Sequence, residues 1–264
     1  MKRGSGILIF LVFSLISITS CNFHLEQSED DFTSLFHVDI ETLEDNYGVF
    51  VGSSFESFFN EHYDRDHPED QFIPVIKAIN DIAGEGEDPR RLDVAIFYSE
   101  ELLKNAYHNH GRLLRLMSEC GLFGRLFARL LPGDDEVIIR HLSLYRELDI
   151  NCFPSEEISR LIAEKVILFP VRVMCLPIRE LSLSNYSDYD DMAPREATIT
   201  RATAFYAVDT LWQFMERIRY VLSYDDHNKI YDALRDFNAF AKVMNVYGPD
   251  QAPDWLLPLL PADD

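Results

Sequence analysis

Positive charge is scarce in this chain. Against 45 Asp and Glu stand 24 Lys and Arg, only six of them lysine, and the net charge is −21. A field of that sign repels phosphate, so no nucleic acid partner is expected. Cysteine is scarce too, with four residues in 264, too few to staple a small disulfide scaffold. Long apolar runs are missing: the longest, Ile7 to Ile18, is interrupted by Ser14 and Ser17 and spans about a dozen residues where a membrane crossing needs roughly 20. Catalytic signatures are missing as well. There is no Gly-x-Ser-x-Gly elbow, no His-Glu-x-x-His, no P-loop and no Gly-x-Gly-x-x-Gly. What the chain does have is apolar bulk, 47% of all residues including 19 Phe and 12 Tyr, which excludes a wholly disordered protein.

The N-terminus carries the most specific pattern. Lys2 and Arg3 give a basic start, the apolar run follows, and Ile18-Thr19-Ser20 leads directly into Cys21. At these residues the segment resembles a bacterial lipoprotein signal peptide, with Ile18-Thr19-Ser20-Cys21 as a relaxed form of the Leu-Ala-Gly-Cys cleavage box. The resemblance covers residues 1–21 and implies removal of residues 1–20, a diacylglyceryl group on the Cys21 thiol and usually an acyl chain, such as palmitate, on the new N-terminus. The implied partner is membrane lipid through Cys21, and the implied location is the bacterial cell membrane. Asn22 stands where an Asp would mark inner-membrane retention, so in a Gram-negative cell the outer membrane is expected. Several acyl chains hold far more firmly than one, since each buried methylene adds about 0.8 kcal/mol.

Between Cys21 and Asp64 there is no Lys or Arg, but there are eleven acids, from Glu26 to Asp64. Residues 21–31 read as a self-repelling acidic tether, and residues 32–264 as one globular domain. Within that domain the apolar spacing is helical. Phe72, Val75, Ile76 and Ile79 recur at three and four, and Gly84 and Gly86 stop the run. Asp88-Pro89 and Pro154-Ser155-Glu156-Glu157 are helix openings, and Pro132-Gly133 is a stop. The expected fold is mainly α, a single domain of packed helical hairpins. Residues 166–178 are rich in β-branched side chains yet broken by Pro170 and Pro177; they are expected to form an irregular buried crossing, or else a short edge strand. Ser182 to Pro194 reads as a loop. Arg195 to Tyr224 and Asp226 to Val246 read as a closing hairpin, with Phe205, Trp212 and their helical neighbours turned to the core, and the Trp255–Leu260 tail packing back.

Candidate sites are few. His62, Asp66 and His67 gather nitrogen and oxygen donors in one short run; on a helix His62 and Asp66 share a face, and the set is the candidate ligand group for zinc or another divalent ion. A solvated helix end has the same composition, and no cofactor is expected otherwise. His108 and His110 lie about 200° apart around a helix and do not chelate one ion there. Asp188, Asp190 and Asp191 lack the Gly turn and closing Glu of a calcium loop. Arg125 and Arg129, one turn apart, are a candidate fork for phosphate or carboxylate, or else pair with local acids. With Cys21 lipidated, Cys120, Cys152 and Cys175 leave an odd thiol; the expectation is either one disulfide among them, whose pair the spacing does not choose, or buried free thiols. The expected function is that of a lipid-anchored envelope protein acting as a binding or scaffolding module, with an envelope protein or glycan as partner. The alternative is a lipid-anchored envelope enzyme, metal-dependent, with a site assembled from distant residues such as His62, Asp66, His67 and His141.

Overall fold

The computed structural model describes residues 68–84, 89–105, 110–130, 135–178, 198–219, 222–248 and 254–259. The chain is mainly α, as its periodicity predicts. Among the described residues run ten α-helices: α1 Pro68–Gly84, α2 Pro89–Asn105, α3 His110–Glu119, α4 Leu122–Ala128, α5 Asp135–Arg146, α6 Ser155–Ala163, α7 Phe169–Val173, α8 Arg201–Ile218, α9 Tyr224–Asp236 and α10 Ala239–Tyr247. Two 3-10 turns, Ile150–Cys152 and Asp254–Leu259, complete them. None of these helices is long and apolar enough to cross a membrane.

Local chemistry sets several of the ends. Proline occupies the first position of α1 and α2, where its missing N–H costs nothing and its fixed φ suits a helix. Thr200 caps α8 by accepting from the Thr203 N–H, and Ser223 caps α9 by accepting from that of Asp226. Gly121 joins α3 to α4 with φ 74°, a conformation in which a β-carbon is strained. Gly84 ends α1 for another reason: a β-carbon there would strike the Arg125 guanidinium, which donates to the Asn80 carbonyl at 3.1 Å.

The core is built where α5 crosses its neighbours. α5 packs against α2, α7 and α8, and α8 packs also against α7 and α10. Phe127 from α4, Tyr145 from α5, Phe169 from α7 and Phe214 from α8 are fully buried, with ring centroids 5.0–6.3 Å apart along the chain of contacts. The Tyr145 hydroxyl donates to the Ile167 carbonyl at 3.0 Å, which satisfies its buried polar atom.

Arginine carries much of the remaining inter-helix bonding. Arg125, Arg160, Arg172, Arg217 and Arg235 each donate to at least one backbone carbonyl remote in sequence. Arg172 of α7 reaches the carbonyls of Phe127 at 2.6 Å and Ala128 at 2.8 Å, closing the C-terminal turn of α4.

Three sequence expectations are refined or corrected, and a fourth holds. Residues 166–178 contain the short helix α7, and their strand character shrinks to a single parallel bridge between Ile178 and Ile199. The closing hairpin is not formed as two long helices. Asn238, with φ 56°, divides the second into α9 and α10, and α8 packs against α10 while α9 packs against α6. Phe205 and Trp212 are not core residues: they are 37% and 41% exposed. Leu211 takes the inward position, and one residue later the helix has turned about 100°. The Trp255–Leu260 expectation holds for the tail as described, since Leu256 and Leu259 are buried where the last 3-10 turn meets α9 and α10.

Candidate functional site

Among the described residues, the outward face of α8 carries two large exposed aromatic side chains, Phe205 and Trp212, on one helix. Thr203, Ala204, Ala207, Val208, Leu211, Phe214, Met215 and Ile218 face inward, and the apolar burial of that stripe fixes the helix in rotation. Phe205 and Trp212 are thereby turned outward, seven residues or about 10 Å of rise apart on the same face. Phe205 is steadied at its edge by Tyr247 of α10, centroid to centroid 5.5 Å and nearly perpendicular, with the Arg201 guanidinium 5.9 Å from its ring.

A polar shelf runs beside the two rings. Arg146 of α5 lies 4.0 Å over the Tyr206 ring, donates to Asp209 at 2.5 Å and to Thr210 Oγ1 at 2.9 Å. Asp209 also accepts from Gln213 at 3.1 Å, and the Tyr206 hydroxyl shares a hydrogen bond with Ser143 at 3.0 Å. Asp209 and Glu216 lie three residues before and four after Trp212, so both are its neighbours on the helix surface, and their side chains are 45% and 40% exposed. The shelf is held in place by cross-helix bonds, while a large part of its carboxylate surface remains open to water. Sequence reading misses it because Arg146 lies sixty-three residues from Asp209; only the spacing of Tyr206, Asp209 and Gln213 along one turn-repeat hints at a polar edge.

The other candidates fall elsewhere. Cys21, His62, Asp66, His67, His108, Asp188, Asp190 and Asp191 lie outside the described residues. Among those described, no group of three or more His, Cys, Asp and Glu is arranged to hold a metal ion. His110 stands 3.5 Å from Glu147 at the start of α3. His141 does not belong to a solvent-facing site: it is 2% exposed, its ring 5.0 Å from that of Phe127 and 4.2 Å from that of Phe169. Burial pushes its pKa down to about 3, a hydrogen bond to the Leu126 backbone opposing and the charge of Arg172 adding to the shift. The Arg125–Arg129 fork is not formed, because α4 stops at Ala128, Arg129 is extended, and Arg125 is bound to the Asn80 carbonyl. Arg140 is paired instead with Asp93 at 2.7 Å.

Cys120, Cys152 and Cys175 are free thiols. Burial raises the pKa of Cys120 and Cys152, and the carboxylate of Asp149 raises that of Cys152 further, so both stay protonated and poorly nucleophilic. No family model, no curated protein and no solved structure matches this chain.

Proposed function

We propose that the chain is a lipid-anchored protein of the bacterial cell envelope that binds glycan through the outward face of α8. The observation that carries the binding role is the pair Phe205 and Trp212, exposed two turns apart on one helix and edged by the Arg146–Asp209–Gln213 shelf. Exposed indole and phenyl rings suit the C–H faces of sugar rings, and a carboxylate and an amide beside them suit hydroxyls, which both donate and accept. Charge narrows the class: at −21 the chain repels polyanionic polymers and favours a neutral or cationic polysaccharide. The exposed aromatic area is small for a stable protein interface, which buries about 800 Å² on each partner. Anchorage rests on the Ile18-Thr19-Ser20-Cys21 box, which supplies the membrane lipid as a second, covalent partner.

Co-sedimentation of the purified protein with insoluble neutral envelope polysaccharide tests the reading. The wild type is expected in the pellet and Trp212→Ala in the supernatant, with unchanged circular dichroism. Equal pelleting of both overturns the assignment of the α8 face, and cross-linking of that face to an envelope protein instead replaces the glycan by a protein partner.

A further inference from the structure

We infer that the junction of α4, α5 and α7 is an acid-triggered opening, locked shut around the neutral imidazole of His141. The geometry is that of a closed apolar clasp with one ionisable group inside. His141 of α5 stacks on Phe127 of α4, ring planes 21° apart, and leans on Phe169 of α7. One side of its ring is hydrogen-bonded to the Leu126 backbone, while Nε2 is buried without a hydrogen-bond partner. A proton arriving at Nε2 therefore finds no acceptor, and the resulting cation lies between the buried Phe127 and Phe169 rings.

The charges on the packed elements do not rescue it. Arg172 of α7 is the charged group that acts on the ring, with the same sign as an imidazolium, and is fixed on the Phe127 and Ala128 carbonyls. On α2, Asp93 is held by Arg140, and Glu100 faces Lys104 and Arg140. On α8, Asp209 is held by Arg146, and Arg217 donates to the Arg146 and Leu148 carbonyls. On α5 itself Glu136 is 3.6 Å from Arg140, and Tyr145 is bound to the Ile167 carbonyl. Protonation must then be accommodated by parting the clasp. The contact that parts is the one between α7 and the C-terminal end of α4, a seven-residue helix joined to α3 through the left-handed Gly121, so opening also breaks the two Arg172 bonds to the Phe127 and Ala128 carbonyls. Opening hydrates His141 and exposes Phe127 and Phe169.

One proton is taken up on opening. The opening equilibrium should therefore rise about tenfold for each pH unit below the ordinary histidine value of about 6.5. Hydrogen exchange of the purified full chain from pH 7 to 5 reads this directly. Protection factors over 122–128 and 169–173 are expected to fall by that factor per unit, while those of α8 hold, and His141→Phe is expected to keep the two segments protected. Parallel losses in wild type and variant, or a loss that spreads evenly over all helices, overturn the proposal. Nitrogen NMR of the wild type decides the matter should the variant not fold. An imidazole that becomes charged near pH 6.5 while 122–128 stays protected overturns it, and one that charges only as protection is lost supports it.

Discussion

Ser155 and Asp226 bind each other across seventy-one residues of chain, hydroxyl to carboxylate, at 2.5 Å. The contact ties the first turn of α6 to the first turn of α9. The same carboxylate accepts from Ser223 at 2.8 Å and faces Lys229 at 3.2 Å, so two helix starts and an ammonium share one buried acid.

A pH dependence follows from that acid. The Ser155 hydrogen bond is the largest cause holding the Asp226 pKa below its usual value, with Ser223 and Lys229 adding and burial opposing. A group depressed in the folded state stabilises it above the ordinary carboxylate range and loses that contribution as pH falls through the folded value. Asp226→Asn should lower stability by about 1–2 kcal/mol at pH 7 and much less at pH 3, read from urea midpoints at both.

Trp212→Ala should cost under about 1 kcal/mol, as expected of a half-exposed residue, while Leu211→Ala beside it should cost about 2–5 kcal/mol. Comparable losses would mean that the indole is buried after all.

Arg172→Met keeps much of the stem but removes both bonds to the end of α4. A loss of about 1.5–3 kcal/mol is expected, with Arg172→Lys recovering only part, because an ammonium cannot span two carbonyls as a planar fork does. Thermal unfolding of the three proteins side by side measures it.

Cys21→Ser should abolish incorporation of labelled fatty acid and release the protein from the membrane fraction, since the proposed anchor is the acyl chains on this residue. Retention of the variant in the membranes would refute lipidation at this position.

Helices were legible wherever apolar residues recur at three and four between recognisable caps, as in α1 around Val75 and Ile79 or in α6 after Pro154-Ser155. The division at Asn238 was not, because the periodicity of Ile230 to Val246 continues through it and only a left-handed φ reveals the break. The outward position of Trp212 is hidden from the sequence for a related reason: hydrophobicity marks a side of the helix only to within about one residue, and an aromatic ring at the margin of the stripe looks like core. Nor was the burial of His141 visible, since the rings that enclose it come from residues 127 and 169, brought together only by tertiary packing. The shelf beside Trp212 depends in the same way on Arg146, a different helix altogether.

The arginines bound to carbonyls invert the usual expectation about which charged residues are free to drift. In most surfaces either sign is exchangeable, and Arg for Lys is the mildest of replacements. Here Arg125, Arg160, Arg172, Arg217 and Arg235 each thread a planar donor to a fixed backbone oxygen on another part of the chain. A library of random substitutions should therefore reject even lysine at these five positions and tolerate change at the solvent-facing carboxylates that make no cross-helix bond, while Asp93, Asp209 and Asp226, which do, should behave like the arginines.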